Sequence, residues 1–477
     1  MATDCPEISN WSGNMPPYTP RVCYQPKDAK QVLEILNQHK DGRIRVVGSG
    51  HSMNEIAKST DVSIELGAFR NPKGDGFIDA GMTLEALQAD LAKEGKTLPA
   101  RGTIKLQTIA GAISTGTHGS GRSGLSHYVD AVRIAAYDEM GNAKVFDFDK
   151  RHPELRAART ALGAMGVILG VKLHERPAYF IEQSLVGADD ISSVLERDET
   201  GALQYPLQLF IRLPYEWSYV ISRRRESPRG PRGVWENLKR YARRLKNEWG
   251  NDRFLPWVIR NVVAPRSPDF IQRFYLSYLP QLVSEQDPVI DDDDHVQTMR
   301  HELYKNQDIE LFVPERHLQD ADEWLKQMIS AFADPGHRPP QQMVDALRVV
   351  NLYDAFVSRT PYTLHAPIFY QRVLADETLI SMTAGAAEPY YSILLLSYLP
   401  ERKDGFEQFA EFIGRGFVRL FHARLHWGKV FPLALAQENV SSYLELERFR
   451  ELCRTYDPKG VFRNDFTAAC LGFDRAP

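Results

Sequence analysis

At 477 residues and 54.3 kDa the chain is too long for one ordinary core, so two domains, or one interrupted by another, are expected. Hydrophobic residues at 43% and charged residues at 25% exclude a fibrous or largely disordered protein, and a net charge of -4 offers no global attraction to nucleic acid or anionic membranes. Cys5, Cys23, Cys453 and Cys470 form no CxxC pair, which predicts neither a disulfide framework nor a zinc site and leads us to expect reduced thiols in a cytoplasm. The start MATDCPEISNWSGN has no signal-peptide pattern and no apolar run approaches a membrane span, so no integral membrane segment is expected. The sequons at Asn10 and Asn439 are then chance matches.

In chain order, Asp28 is placed to cap a helix with apolar positions Val32, Leu33 and Leu36, and Asp41-Gly42 turns the chain into the strand IRVVGSG. Strands follow at VSIEL and GFIDAG. Thr83 can cap the helix TLEALQADLAKEG, and the glycine- and threonine-rich TIAGAISTGTHGSGRSG reads as a loop. AVRIAAYD and KVFDF, joined at Gly141-Asn142, read as a hairpin. Beyond Arg176-Pro177 the strands lengthen and aromatic and charged clusters increase, as in a second domain.

Between Arg223 and Arg253 basic residues crowd, while Val234, Leu238, Tyr241, Leu245 and Trp249 recur every three or four positions. That spacing predicts a basic amphipathic helix packing one face on the protein. A solvated surface helix and a surface for a membrane or acidic partner are both compatible with it. The acidic stretch from Glu285 to Asp294 reads as a loop. Near the end come HWGK, a helix from Ser441 to Tyr456, and the turn Asp457-Pro458-Lys459-Gly460 leading into VFRNDF.

RVVGSGHS places an imidazole on the rim of a glycine turn. A dinucleotide fingerprint would need a third glycine where Met53 stands, and no Gly-Lys-Ser/Thr follows for a phosphate loop. The turn can still form an anion-binding nest of N–H groups with Ser49 and Ser52, and the second glycine segment, Gly111 to Gly124, offers further amides and hydroxyls. Two ordinary turns are the alternative. His51, His118 and His127 have no carboxylate or cysteine at ligand spacing, His422 and His426 lack a zinc-protease glutamate, and no G-x-S-x-G occurs, so neither metal nor serine-hydrolase chemistry is expected.

NWSGN, R-x-R-V-V-G-S-G-H-S, TIAGAISTGTHGSG, ALGAMGVI, IELFVP, HWGK and DPKGVFRNDF follow one another across nearly the whole chain. Together they resemble the aldonolactone and alditol oxidoreductases of the vanillyl-alcohol-oxidase flavoprotein superfamily. The resemblance implies an α+β, two-domain flavoprotein: a PCMH-type FAD-binding domain over 1–176, a mainly antiparallel cap over 177–425 that binds substrate, and a segment, 426–477, returning to the FAD domain. It implies FAD bound covalently through His51, with Val47, Gly48, Ser49, Gly50 and Ser52 around the pyrophosphate. Gly111, Ala112, Ser114, Thr117, His118, Gly119, Ser120 and Gly121 would line the cofactor, with Ile168 at one end of it.

The cysteine that bicovalent flavoenzymes of the wider superfamily carry in this second loop has no counterpart, which implies a single link. Lys429 matches the family's active-site lysine, supported by His426 and Trp427, and Glu310 matches an acid that accepts hydrogen bonds from a substrate hydroxyl. Their bland alternatives are a surface lysine and a solvated strand glutamate. Where sugar oxidases carry an arginine two positions after that acid, this chain has Phe312, which predicts an aromatic wall and a preference for apolar alcohols over polyols or lactones. Hydride transfer from an alcohol carbon to the flavin is the implied reaction. Molecular oxygen is the implied acceptor, a quinone or cytochrome the alternative, and a non-catalytic flavin-binding protein a third reading.

Overall fold

The computed structural model describes residues 2–3, 5–197, 199–283, 287–300, 302–399 and 405–473. Its first sheet joins β1 (Ala2–Thr3), β2 (Val22–Tyr24), β3 (Ile44–Val47) and β4 (Val62–Glu65) in the order β1-β2-β4-β3, with β2 and β3 parallel to β4. Next come β5 (Ile78–Asp79), β6 (Lys96–Thr97), β7 (Val129–Tyr137), β8 (Ala143–Asp149), β9 (Val167–Leu173) and β10 (Arg176–Pro177). Four of them form an antiparallel sheet, β5-β9-β7-β8, while β6 pairs with β10. The helix Ala29–Gln38 starts where Asp28 accepts from Gln31 N–H, and Leu84–Lys93 starts where Thr83 accepts from Ala86 N–H. Both caps match the expectation because capping is local.

The remaining strands are β11 (Phe180–Ala188), β12 (Leu209–Arg212), β13 (Tyr219–Ser227), β14 (Val289–Asp292), β15 (Gln307–Pro314), β16 (Ile368–Val373), β17 (Tyr390–Ser397) and β18 (Arg424–Leu425). They build one antiparallel sheet, β14-β11-β13-β12-β16-β17-β15-β18. After β18 the chain runs back to the first sheet, where Ile44 N–H donates to Val461 O at 2.8 Å. The architecture is α+β, and its hydrophobic core is continuous from β2 to the C-terminal helices.

Several local expectations change in the folded chain. Thr108 caps a helix over Ile109–Thr115, so Gly111 and Ala112 lie in a helix, which forms because Ile109, Ala112 and Ile113 supply a buried face. The helix expected from Ser441 to Tyr456 begins only at Leu446, after a separate short helix over Ala436–Val440. Much of the acidic stretch is β14 and the helix Asp293–Gln297, because Arg244 and Arg101 neutralise its carboxylates; Glu285 lies outside the described residues.

Two corrections are larger. Antiparallel pairing of β1 with β2 carries Cys5 to Cys23, their Cα atoms 5.4 Å apart and their sulfurs bonded, so the expectation of four reduced thiols fails for this pair. The cysteines consequently no longer argue for a reducing cytoplasm. Cys453 and Cys470 are free and buried. Among the described residues no helix is long and apolar enough to cross a membrane. The basic segment divides: Arg223, Arg224 and Arg225 belong to β13, and a helix begins at Gly233. That helix packs by its charged side, with Arg244 donating to Asp291 at 2.7 Å, and leaves Val234, Leu238, Tyr241, Leu245 and Trp249 exposed. The predicted face is apolar, but most of it points away from the protein.

Candidate active site

A cavity of about 990 Å³ lies between the glycine loops and the face of the eight-stranded sheet. It is at the upper end of the ~300–1,000 Å³ usual for small-molecule sites. β3 delivers the first loop to it. Gly50 takes φ +69°, a left-handed conformation that reverses the chain, and a Cβ on Gly48 would sit 2.4 Å from Thr108 Oγ1. These two positions need glycine because the first loop turns directly against the start of the second.

The NWSGN motif braces this turn. Trp11 N–H donates to Gly50 O at 2.7 Å, Asn10 Nδ2 donates to Ser52 O at 3.1 Å, and the Trp11 ring stacks on His51 with centroids 5.6 Å apart. On its other nitrogen, His51 Nε2 lies 3.0 Å from the Glu302 carboxylate. A carboxylate only accepts, so Nε2 is the ring's donor to it. Nδ1 is buried and has no hydrogen-bond partner. An unpartnered ring nitrogen at the cavity wall is what a covalent cofactor link requires, and the residues fit that group.

The HWGK segment reaches His51 through its backbone. Met53 N–H donates to Gly428 O at 2.9 Å, and Asn54 Nδ2 donates to both Trp427 O and Lys429 O at 2.7 Å. Below it, Arg45 is buried and donates to Leu162 O at 2.7 Å and Phe462 O at 2.5 Å, joining three separated segments at the base of the loop. On the other side HWGK follows β15: His426 N–H donates to Glu310 O at 3.0 Å and Val430 N–H to Asp308 O at 2.9 Å.

Four charged or titratable groups converge there. His118 Nε2 lies 3.1 Å from Glu310 Oε1, and Lys429 Nζ donates to Asp308 Oδ2 at 3.0 Å. Burial alone would raise Glu310, but His118 and Lys429 hold its carboxyl well below the usual range. Burial alone would lower Lys429, and Asp308 and Glu310 overcome it, so the ammonium stays charged well above neutrality. Burial pushes His426 down to about 3, consistent with its Nδ1 accepting from Gly428 N–H at 2.9 Å.

His365, elsewhere in the core, is pushed by burial to about 4, and its Nε2 accepts from Tyr398 N–H at 3.1 Å. Both histidines are neutral when folded, so the unfolded chain takes up protons first as pH falls from about 6.5. Each then withdraws about 2 kcal/mol of stability by about pH 5. Asp457, pushed up by burial to about 6, acts with the opposite sign, so a difference measurement is needed. We expect His365→Gln to remove about 2 kcal/mol of the change in urea unfolding free energy between about pH 7.5 and 5. An unchanged difference would mean that His365 is protonated in the folded protein.

Of the residues singled out in the sequence, Val47, Gly48, Ser49, Gly50, His51, Ser52, Gly111, Ser114, Thr117, His118, Gly119, Ser120, Ile168, Glu310, His426 and Lys429 all line the cavity. Ala112 and Gly121 do not: Ala112 is buried inside its helix, and Gly121 is pressed against Pro206 O. Phe312 does not either. Its ring is fully buried, with its centroid 5.0 Å from that of His118 and 6.1 Å from that of His426, because those imidazoles cover it from the cavity side. The fold also corrects the ground on which a metal was set aside, since Glu310 brings a carboxylate within 4.8 Å of His118 and His426 ligand atoms. The hydrogen bonds of His118 to Glu310 and of His426 to Gly428 account for that arrangement without an ion. Sequence reading missed Asp308, Glu302, Asn54 and Arg45. Of these Asp308 alone left a signal, standing two residues before Glu310 on the same face of a strand.

Residues 20–139 match the profile of an FAD binding domain, and residues 218–470 match the D-arabinono-1,4-lactone oxidase family. A long-chain alcohol oxidase from an uncultured marine euryarchaeote is 37% identical over 95% of each chain. L-gulonolactone oxidase from Mus musculus is 22% identical over 96% of this chain and 97% of its own. In fold, the chain is similar to cholesterol oxidase from Brevibacterium sterolicum, with a TM-score of 0.69 at 13% identity over 98% of this chain and 97% of that one. With both segments matched and the cavity between them, the chain belongs to the D-arabinono-1,4-lactone oxidase family and is an FAD-dependent oxidase acting on a CH–OH group.

Proposed function

We propose that this oxidase converts a long-chain, largely apolar alcohol to its carbonyl compound, with FAD held through His51 Nδ1 and dioxygen reduced to hydrogen peroxide. We also infer that residues 1–176 and 426–477 form the flavin domain and 177–425 the cap. The observation that carries the substrate reading is the register of the large sheet. Glu310 pairs with Leu394, Leu394 with Phe369, Phe369 with Ile211 and Ile211 with Val220, and all five line the cavity. An apolar row thus leads away from the carboxylate across four strand spacings, about 19 Å. Gln371, Ser392 and Ser222 line the neighbouring pleat, so polar groups flank the row without interrupting it. The apolar wall expected of Phe312 is supplied by other strands.

When bound, the flavin supplies the hydride acceptor. Lys429 is an ammonium and cannot take the hydroxyl proton; its charge favours negative charge developing beside it. The ionised Glu310, backed by His118, accepts the substrate hydroxyl's hydrogen bond and takes its proton, and neutral His426 keeps the pair from being outweighed by a second cation. Gly111 leaves room at the cavity wall for a small acceptor, which supports oxygen over a quinone or cytochrome.

Anaerobic mixing with alkanols, xylitol and gulono-1,4-lactone, followed by flavin bleaching, tests the substrate. Burial of each methylene contributes about 0.8 kcal/mol, so four added methylenes should raise kcat/KM by about two orders of magnitude until the row is filled. Faster bleaching by the lactone than by every alkanol would restore a sugar substrate.

A further inference from the structure

The helical run from Gly233 to Val263 alternates α and π segments and has one face that nothing among the described residues covers. Trp235 is 76% exposed, Trp249 59%, Phe254 63% and Trp257 46%, with Val234 and Leu238 beside them. Three of the seven tryptophans of the chain thus lie in this one run. Its charged side cannot turn outward to hide them, because Arg244 is held by Asp291 and Asp292, Arg229 by Glu236 and Lys239 by Asp287. From Arg229 to Arg266 there are ten basic residues and three acidic ones, in a chain whose net charge is -4. The same run contributes Tyr241, Leu245, Leu255, Pro256 and Ile259 to the cavity wall, so the exposed face adjoins the rim of the cavity.

We propose that this run docks on the surface of a lipid bilayer containing anionic headgroups and so brings the cavity to substrate dissolved in the membrane. Tryptophans and aliphatic side chains on one face match the interfacial region, where rings sit at headgroup depth, and the run's cations outnumber its own acids together with Asp287, Asp291 and Asp292, so anionic headgroups are attracted to it. A second copy of the chain fits less well, since a two-fold contact would set this same predominantly basic patch against itself. The delivery of substrate rests on the long-chain alcohol reading, whereas the docking does not.

The test is co-sedimentation of the holoenzyme with vesicles of phosphatidylcholine containing about 30% phosphatidylglycerol, alongside the variant Trp235→Ser/Leu238→Ser/Trp249→Ser/Trp257→Ser. These four side chains do not line the cavity, so turnover of a short soluble alcohol should be unchanged. We expect the parent protein to sediment with the vesicles, more weakly at high salt, and the variant to lose at least about tenfold in binding. Turnover of a long-chain alcohol carried in the vesicles should fall with it. A parent protein that stays in the supernatant, or a variant that binds equally, overturns the docking. Conversion of a dimer to a monomer by the four substitutions, without vesicle binding by the parent, would assign the face to self-association instead. If the parent binds vesicles but oxidises no long-chain alcohol even in detergent, the substrate reading fails and the docking stands.

Discussion

Replacing Lys429 by methionine is expected to slow flavin reduction by ~10²–10⁴-fold, the range for losing a fixed charge or a proton-transfer partner at a reacting centre. The ammonium donates to Asp308, and it also helps hold Glu310 in its ionised form. Its removal leaves Asp308 buried without its partner, which would by itself cost about 3–5 kcal/mol of stability unless the carboxyl takes a proton. Asp308 is already held above its ordinary value by burial, which makes that protonation easier. The double variant Lys429→Met/Asp308→Asn separates the two effects. It should recover most of the lost thermal stability and none of the lost rate. Anaerobic stopped-flow reduction at saturating alcohol reads the rate directly, and a rate within about threefold of the parent would remove Lys429 from the chemistry.

His51→Ala should release all of its flavin on acid precipitation, whereas the parent protein should stay yellow and carry its flavin on a tryptic peptide containing His51. The expectation rests on the geometry of one ring: Glu302 takes Nε2–H, Trp11 covers the ring face, and Nδ1 is left at the cavity wall with no partner. Because the rest of the cavity is intact, the variant should still bind FAD reversibly, with flavin reduction slowed on the order of tenfold as the link's effect on the flavin potential is lost. Flavin that leaves the denatured parent as readily as the variant would show that His51 only packs beside the turn.

What could be read along the chain is what local backbone geometry decides. Asp28 and Thr83 cap their helices, Gly50 turns with positive φ, and β7 and β8 form the hairpin, because each depends on residues within a few positions of one another. The order of motifs was enough to point to one family and to single out His51, Glu310 and Lys429, which the fold gathers around one cavity. Which atoms meet at the site is another matter. Asp308 finds Lys429 because HWGK hydrogen-bonds alongside β15, and Glu302 finds His51 across 251 positions of chain. No periodicity encodes such pairings.

Phe312 shows the same limit from the other side. Its place on the strand was legible, but the two imidazoles that cover it come from segments nearly two hundred positions before and more than one hundred after. The exposed helix is the sharpest case. Its spacing defined an apolar face, yet burial depends on the surface opposite, and β14 presents Asp291 and Asp292 there. A charged counter-surface recruits the arginines, so tertiary structure alone decided that the tryptophans would face outward.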